Sequence, residues 1–142
     1  MKHFGSSAAF IPDRNREIMK IYSRLLAESK KIFIPKIFRK IADSPASRFW
    51  VSPERAAIVI SEMIRYPDKW KNKITSKTKQ EMFEEIFRRY NLLQARMPGS
   101  SIIEIATIVV HQPAPKFYFT PRTIGEFVSR IKNGYYKHKP SR

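Results

Sequence analysis

The sequence predicts a mainly α-helical protein of two tandem, pseudo-symmetric three-helix repeats, each with a short extended aromatic segment before its third helix. Three observations predict it. Arg48-Phe49-Trp50-Val51-Ser52-Pro53 returns 68 residues later as Lys116-Phe117-Tyr118-Phe119-Thr120-Pro121, and positions 14–64 align on 82–132 without a gap, with 12 identities in 51. Composition alone would give roughly 3. Apolar residues then recur at helical spacing in six stretches, and proline, glycine or capping residues punctuate those stretches. Two copies are too few for a solenoid, which needs at least three to bury its faces. One copy alone would be marginal, so the two are expected to pack on each other. The predicted organisation is an N-terminal arm (1–13), repeat one (14–67), a basic linker (68–80), repeat two (81–134) and a basic tail (135–142).

The first helix should run from Arg14 to Ser29 behind Asp13 as N-cap, with Ile18, Ile21, Tyr22, Leu25 and Leu26 as its apolar stripe. Pro35 suits the first turn of the second helix, whose inner face is Ile34, Ile37, Phe38 and Ile41. A connector follows, extended at its end because a residue before proline avoids the α region. Ser52 then caps the third helix, with Pro53 and Glu54 in its first turn. Tyr66-Pro67 stops it. In the second copy, Thr78 and Glu81 have capping-box spacing ahead of Met82, Phe83, Ile86, Phe87, Tyr90, Leu93 and Met97. Pro98-Gly99 ends that helix. Ser101 and Glu104 form a second capping-box pair, opening a helix that buries Ile102, Ile105, Ala106 and Val109. Thr120-Pro121 opens the last helix, carrying Ile124, Phe127, Val128 and Ile131, and Asn133-Gly134 stops it.

Charge speaks to partners rather than to fold. Twenty-eight Lys and Arg against twelve Asp and Glu leave a formal net charge of +16, a surface that repels itself and attracts polyanions. Nucleic acid, DNA or RNA, is the first expectation. There is no cysteine, so disulfides and thiolate metal sites are excluded. The N-terminal residues lack the apolar run of a signal peptide, and no stretch approaches the roughly 20 apolar residues of a membrane span. The expectation is a location in the cytoplasm of a bacterial host or in a virion, with no membrane partner.

Three groups of residues could carry binding. In the aromatic strips, alternate side chains face opposite ways, so Trp50 and Tyr118 could face outward as stacking platforms while Phe49 and Phe117 point inward. Arg48 and Lys116 would then meet phosphates. The competing expectation, and the favoured one, is that these aromatics wedge between helices. Next come the starts of the third and sixth helices. Free backbone N–H groups there favour phosphate, and Arg55 and Arg122 sit in their first turns. A helix-turn-helix is disfavoured, because the connector between the second and third helices is too long. Last are the linker lysines Lys69, Lys71 and Lys73, together with Arg130, Lys132 and Lys137 toward a tail expected to be disordered in the free protein.

Catalysis finds little support. His3, His111 and His138 are scattered, no glycine loop suits a phosphate, and Glu84-Glu85 face different ways on one helix. No catalytic residue, metal ligand or cofactor is expected, and an enzyme is disfavoured. The repeated Pro-Ala-x-[Arg/Lys]-Phe-[Trp/Tyr]-x-[Ser/Thr]-Pro element, following a helix such as Glu84-Glu85-Ile86-Phe87-Arg88-Arg89-Tyr90, resembles small basic helical proteins of gut bacteria and their phages or mobile elements. That resemblance implies a bacterial or phage setting and carries over no active site. The expected function is non-enzymatic nucleic-acid binding, with linker and tail gripping the phosphate backbone. The alternative is a structural or assembly protein of a phage particle or ribonucleoprotein, with an acidic protein partner or a virion as its target.

Overall fold

A computed structural model describes residues 9–31 and 33–136. Six α-helices account for most of them: α1 (Ile11–Glu28), α2 (Ile34–Ala42), α3 (Pro53–Arg65), α4 (Lys77–Arg96), α5 (Ile102–Val110) and α6 (Pro121–Lys132). None is long and apolar enough to cross a membrane.

Most helix starts follow the local chemistry. Ser52, Ser101 and Thr120 each accept a hydrogen bond from the backbone N–H three residues on, and Ser101 with Glu104 completes a capping box. Two starts differ from expectation. α1 begins at Ile11 behind Phe10, which caps nothing with its side chain, and Asp13 lies inside the first turn, 2.7 Å from Arg16. Pro12 makes the early start possible, since a first-turn N–H would have no helical partner anyway. α4 begins at Lys77 because Ser76 accepts from the Lys79 N–H, so Thr78 lies within the helix and forms no capping box with Glu81.

The basic linker is folded. Trp70 and Ile74 are both buried, and a 3-10 turn at Trp70–Lys73 lies against α3. Two apolar side chains four residues apart anchor the segment whatever the charge of its neighbours. Of the tail, Tyr135 and Tyr136 continue the turn after α6, and Tyr136 accepts a hydrogen bond from Arg14, so the start of the tail belongs to the fold. The other tail residues lie outside the described ones.

The helices cross between the halves. α2 packs on α6 and α3 on α5, while α1 packs on α2 and α4 on α5. α1 also packs on α6 and α3 on α4. No β-strand forms among the described residues. The connectors meet in a single antiparallel bridge, where Ala46 and Ala114 exchange both backbone hydrogen bonds at 3.0 Å. Beside it, the Phe49 N–H donates to the Val110 carbonyl at 3.0 Å and the Phe117 N–H to the Ala42 carbonyl at 3.4 Å. Phe49 and Phe117 are fully buried with Ile18, Ile41, Ile60, Ile86, Ile105 and Ile124. A core drawn this evenly from both halves leaves neither a private interior.

Candidate functional site

The aromatic strips turn inward on both faces. Trp50 and Tyr118 are each only 6% exposed, so neither is an open stacking platform. Burial of large rings between helices outweighs the alternation of an extended strip, because each ring removes considerable apolar area from water. Phe49 stacks on Tyr118 with ring centroids 6.0 Å apart, and Phe10 tilts against Trp50 at 5.6 Å. Tyr118 takes a left-handed backbone conformation, φ 60°, which strains a bulky residue.

The two basic residues at the head of the strips have different surroundings. The Arg48 guanidinium donates to the Phe49 and Val51 carbonyls, both at 2.9 Å, and lies over the Phe10 and Trp50 rings. It also faces the His111 imidazole: Nδ1 of that ring meets the Thr107 carbonyl at 2.8 Å, which leaves Nε2 to accept from Arg48 at 3.3 Å. Burial pulls its pKa below the usual arginine value, with Asp13 opposing. Lys116 is half-exposed, 3.8 Å from Glu81 and near the Tyr118 ring.

The strips instead form the wall of a cavity of about 500 Å³. Its rings are Phe10, Trp50, Phe83, Tyr118, Phe119 and Phe127, and its cations are Arg14, Arg55 and Lys79. No carboxylate lines it among the described residues. Both halves of the chain contribute: Arg14 and Met82, Trp50 and Tyr118, and Val51 and Phe119 all lie on it, each pair 68 residues apart. Arg55 and Lys79 are exposed, and neither makes an ion pair among the described residues. Arg14 is 6% exposed. It donates to Asn15 Oδ1 at 2.9 and 3.2 Å and to the Tyr136 hydroxyl at 3.3 Å, and its guanidinium lies 3.8 Å from the centre of the Phe127 ring. Desolvation lowers its pKa first and foremost, Tyr136 partly offsets this, and Arg130 adds repulsion. A buried cation without an opposite charge is costly.

A second basic site lies where α1 meets α2. A groove of about 310 Å³ collects Lys30, Lys31, Lys36 and Lys40 around Phe33, which is 64% exposed. Glu28 is its one acid, and it already faces Arg24. None of the four lysines makes an ion pair among the described residues.

The structure thus gathers Trp50, Tyr118 and Arg55 and disperses the other candidates. Lys71 pairs with Glu84 at 3.0 Å and Lys73 with Glu62 at 3.4 Å. Arg122 lies 3.5 Å from Glu126. Arg130 and Lys132 rest over Tyr135 and Tyr22. Lys69 is exposed beside Trp70, and Lys137 lies outside the described residues. Sequence reasoning missed the lysine groove, although a signal was there: no acid interrupts the chain between Glu28 and Asp43. It also missed Arg14, whose burial has no local signature. Among the described residues, no group of His, Asp or Glu could hold a metal ion. Compared with known protein families, curated proteins and solved structures, the chain matches none.

Proposed function

We propose that this protein is a non-enzymatic nucleic-acid-binding module that grips the phosphate backbone. The observation that carries this is the groove in which Lys30, Lys31, Lys36 and Lys40 stand without ion pairs among the described residues around an exposed Phe33, in a chain of net charge +16. Four unpaired ammonium groups on one short surface repel one another, and a strand of phosphates relieves that repulsion while releasing its own counterions. Phe33 offers an aromatic face to a neighbouring base. Such contacts give affinity with little sequence information.

We read the chain as one module duplicated in tandem. The Ala46–Ala114 bridge, the Phe49 and Phe117 backbone bonds, and the reciprocal α2–α6 and α3–α5 packing all relate positions by the same 68-residue offset. That offset supports a pseudo-twofold frame on which only one copy carries the lysine groove, since Lys30-Lys31 aligns with Pro98-Gly99. The setting we propose is the bacterial cytoplasm or a virion.

Anisotropy titrations of labelled single- and double-stranded DNA and RNA against salt test the reading. Binding should weaken steeply with salt, and K30Q/K31Q/K36Q/K40Q should reduce the log–log slope by about three to four. Absence of binding to all four at about 50 mM salt rejects it.

A further inference from the structure

The aromatic cavity has features that an interior gap lacks. A gap left by imperfect packing is apolar and stays empty. This one has a buried arginine on its wall, two exposed cations beside it, and no carboxylate among its described lining residues. Arg14 donates to neutral oxygens only, so its charge has no opposite charge against it among the described residues. Trp50 Nε1 is buried with no hydrogen-bond partner among the described residues, an omission that costs stability unless something else accepts from it. Tyr118, on the same wall, holds a strained backbone, and such strain persists where the surroundings require it.

We propose that this cavity is a nucleotide site, taking the planar base of one nucleotide among its rings and the attached phosphate at Arg55 and Lys79. The proposal deepens the nucleic-acid reading when the nucleotide is an unpaired residue of a strand, and stands apart from it when the nucleotide is free. Three points select this ligand. A volume of about 500 Å³ lies within the usual range for small-molecule sites. Rings on several sides suit a flat aromatic group, since base-on-aromatic stacking is favourable for any base. Two exposed cations suit the double charge of a terminal phosphate or the single charge of a diester, while the Arg14 guanidinium offers donors to ring nitrogens and carbonyls of a base. A fatty acid would use the apolar walls but leave two of three cations without a partner. A duplex presents no free base, so double-stranded nucleic acid would engage the lysine groove and not the cavity.

The test follows Trp50 emission, with W50F separating its signal from that of Trp70. Full-length protein is titrated with adenosine and uridine 5′-monophosphate, with a single-stranded trinucleotide, and with the same trinucleotide abasic at its centre. The intact trinucleotide should quench Trp50 and bind at least about fivefold tighter than the abasic one. R55Q/K79Q, which changes two exposed side chains and should leave the circular dichroism spectrum intact, should abolish that difference. Quenching by the free monophosphates as strong as by the trinucleotide assigns the cavity to free nucleotides; quenching by the trinucleotide alone assigns it to strands. Equal affinity for intact and abasic trinucleotides with unchanged Trp50 emission overturns the proposal, and leaves the lysine groove standing if K30Q/K31Q/K36Q/K40Q still weakens strand binding. Quenching by monophosphates without any strand binding would sustain the cavity and reject the nucleic-acid reading.

Discussion

Ala46 and Ala114, 68 residues apart, exchange both of their backbone hydrogen bonds at 3.0 Å, and they are the one bridged pair among the described residues. Each follows a proline and each is almost wholly buried, so the connectors of the two halves are joined at the centre of the molecule. Around this joint the second helix of one half lies on the third helix of the other.

Neither half should therefore fold by itself. Residues 1–67 would leave α2 without α6 and α3 without α5, exposing Ile37, Ile41, Ile60 and Phe49 to water. Short helices without tertiary packing are marginal. Circular dichroism of fragments 1–67 and 68–142 should show little helix for each alone and recovery on equimolar mixing. A cooperative thermal transition in either fragment alone would contradict this.

Arg48 and Lys116 correspond in sequence but should differ in stability. Arg48→Ala takes the guanidinium donor from the Val51 carbonyl and one of two donors from the Phe49 carbonyl, which keeps the Val51 N–H, and should cost about 1–3 kcal/mol in urea unfolding. Lys116→Ala removes a half-exposed cation 3.8 Å from Glu81 and should cost less than about 1 kcal/mol. Similar losses at both positions would show that Arg48 does not clamp the strip.

Glu85 should give the protein an acid-sensitive component. Its hydrogen bond from Arg88 is the main cause that holds its pKa at about 2; partial burial opposes this, and Arg89 helps. A carboxylate whose pKa falls on folding favours the folded state once ionised, so its contribution is complete above about pH 4.5 and fades as pH drops toward about 2. Arg89 in turn donates to Gln112 and to the Pro113 carbonyl beside Ala114, and lies over the Phe49 ring. Glu85→Gln should lose about 1–2 kcal/mol at pH 7, discounted for the exposure of Arg88, and the gap to wild type should close between pH 4.5 and 2. A gap that is constant with pH would rule out the charged pairing.

Gly125 marks the contact of α6 with α2. A Cβ there would come within 2.8 Å of the Phe38 ring, itself stacked on Tyr22. Glycine inside a helix normally costs about 1 kcal/mol against alanine. Gly125→Ala should therefore fail to stabilise the protein, whereas the same change in a Phe38→Ala background should recover about 1 kcal/mol. Additive effects in that double-mutant cycle would mean the ring moves aside freely.

Local chemistry was legible. Ser52-Pro53, Ser101 with Glu104, and Thr120-Pro121 announce helix starts that the backbone then makes, because a cap depends only on residues within one turn. The inward phenylalanines were legible too. The start of α4 was misplaced because Ser76 and Thr78 offer the same oxygen two residues apart. Trp70 was lost among lysines, since charge describes solvent and a single ring can still anchor a turn.

The sequence by itself determined that this chain is helical and strongly basic, because periodicity, caps and charge are additive along the chain. Which aromatics face a common cavity, that Arg14 is buried without a counter-charge among the described residues while Lys30, Lys31, Lys36 and Lys40 share an open groove, and that Arg48 turns inward while Lys116 does not, were decided by the crossing of helices from distant halves. Burial is a property of neighbours in space. No pattern along the chain specifies those neighbours until the packing does.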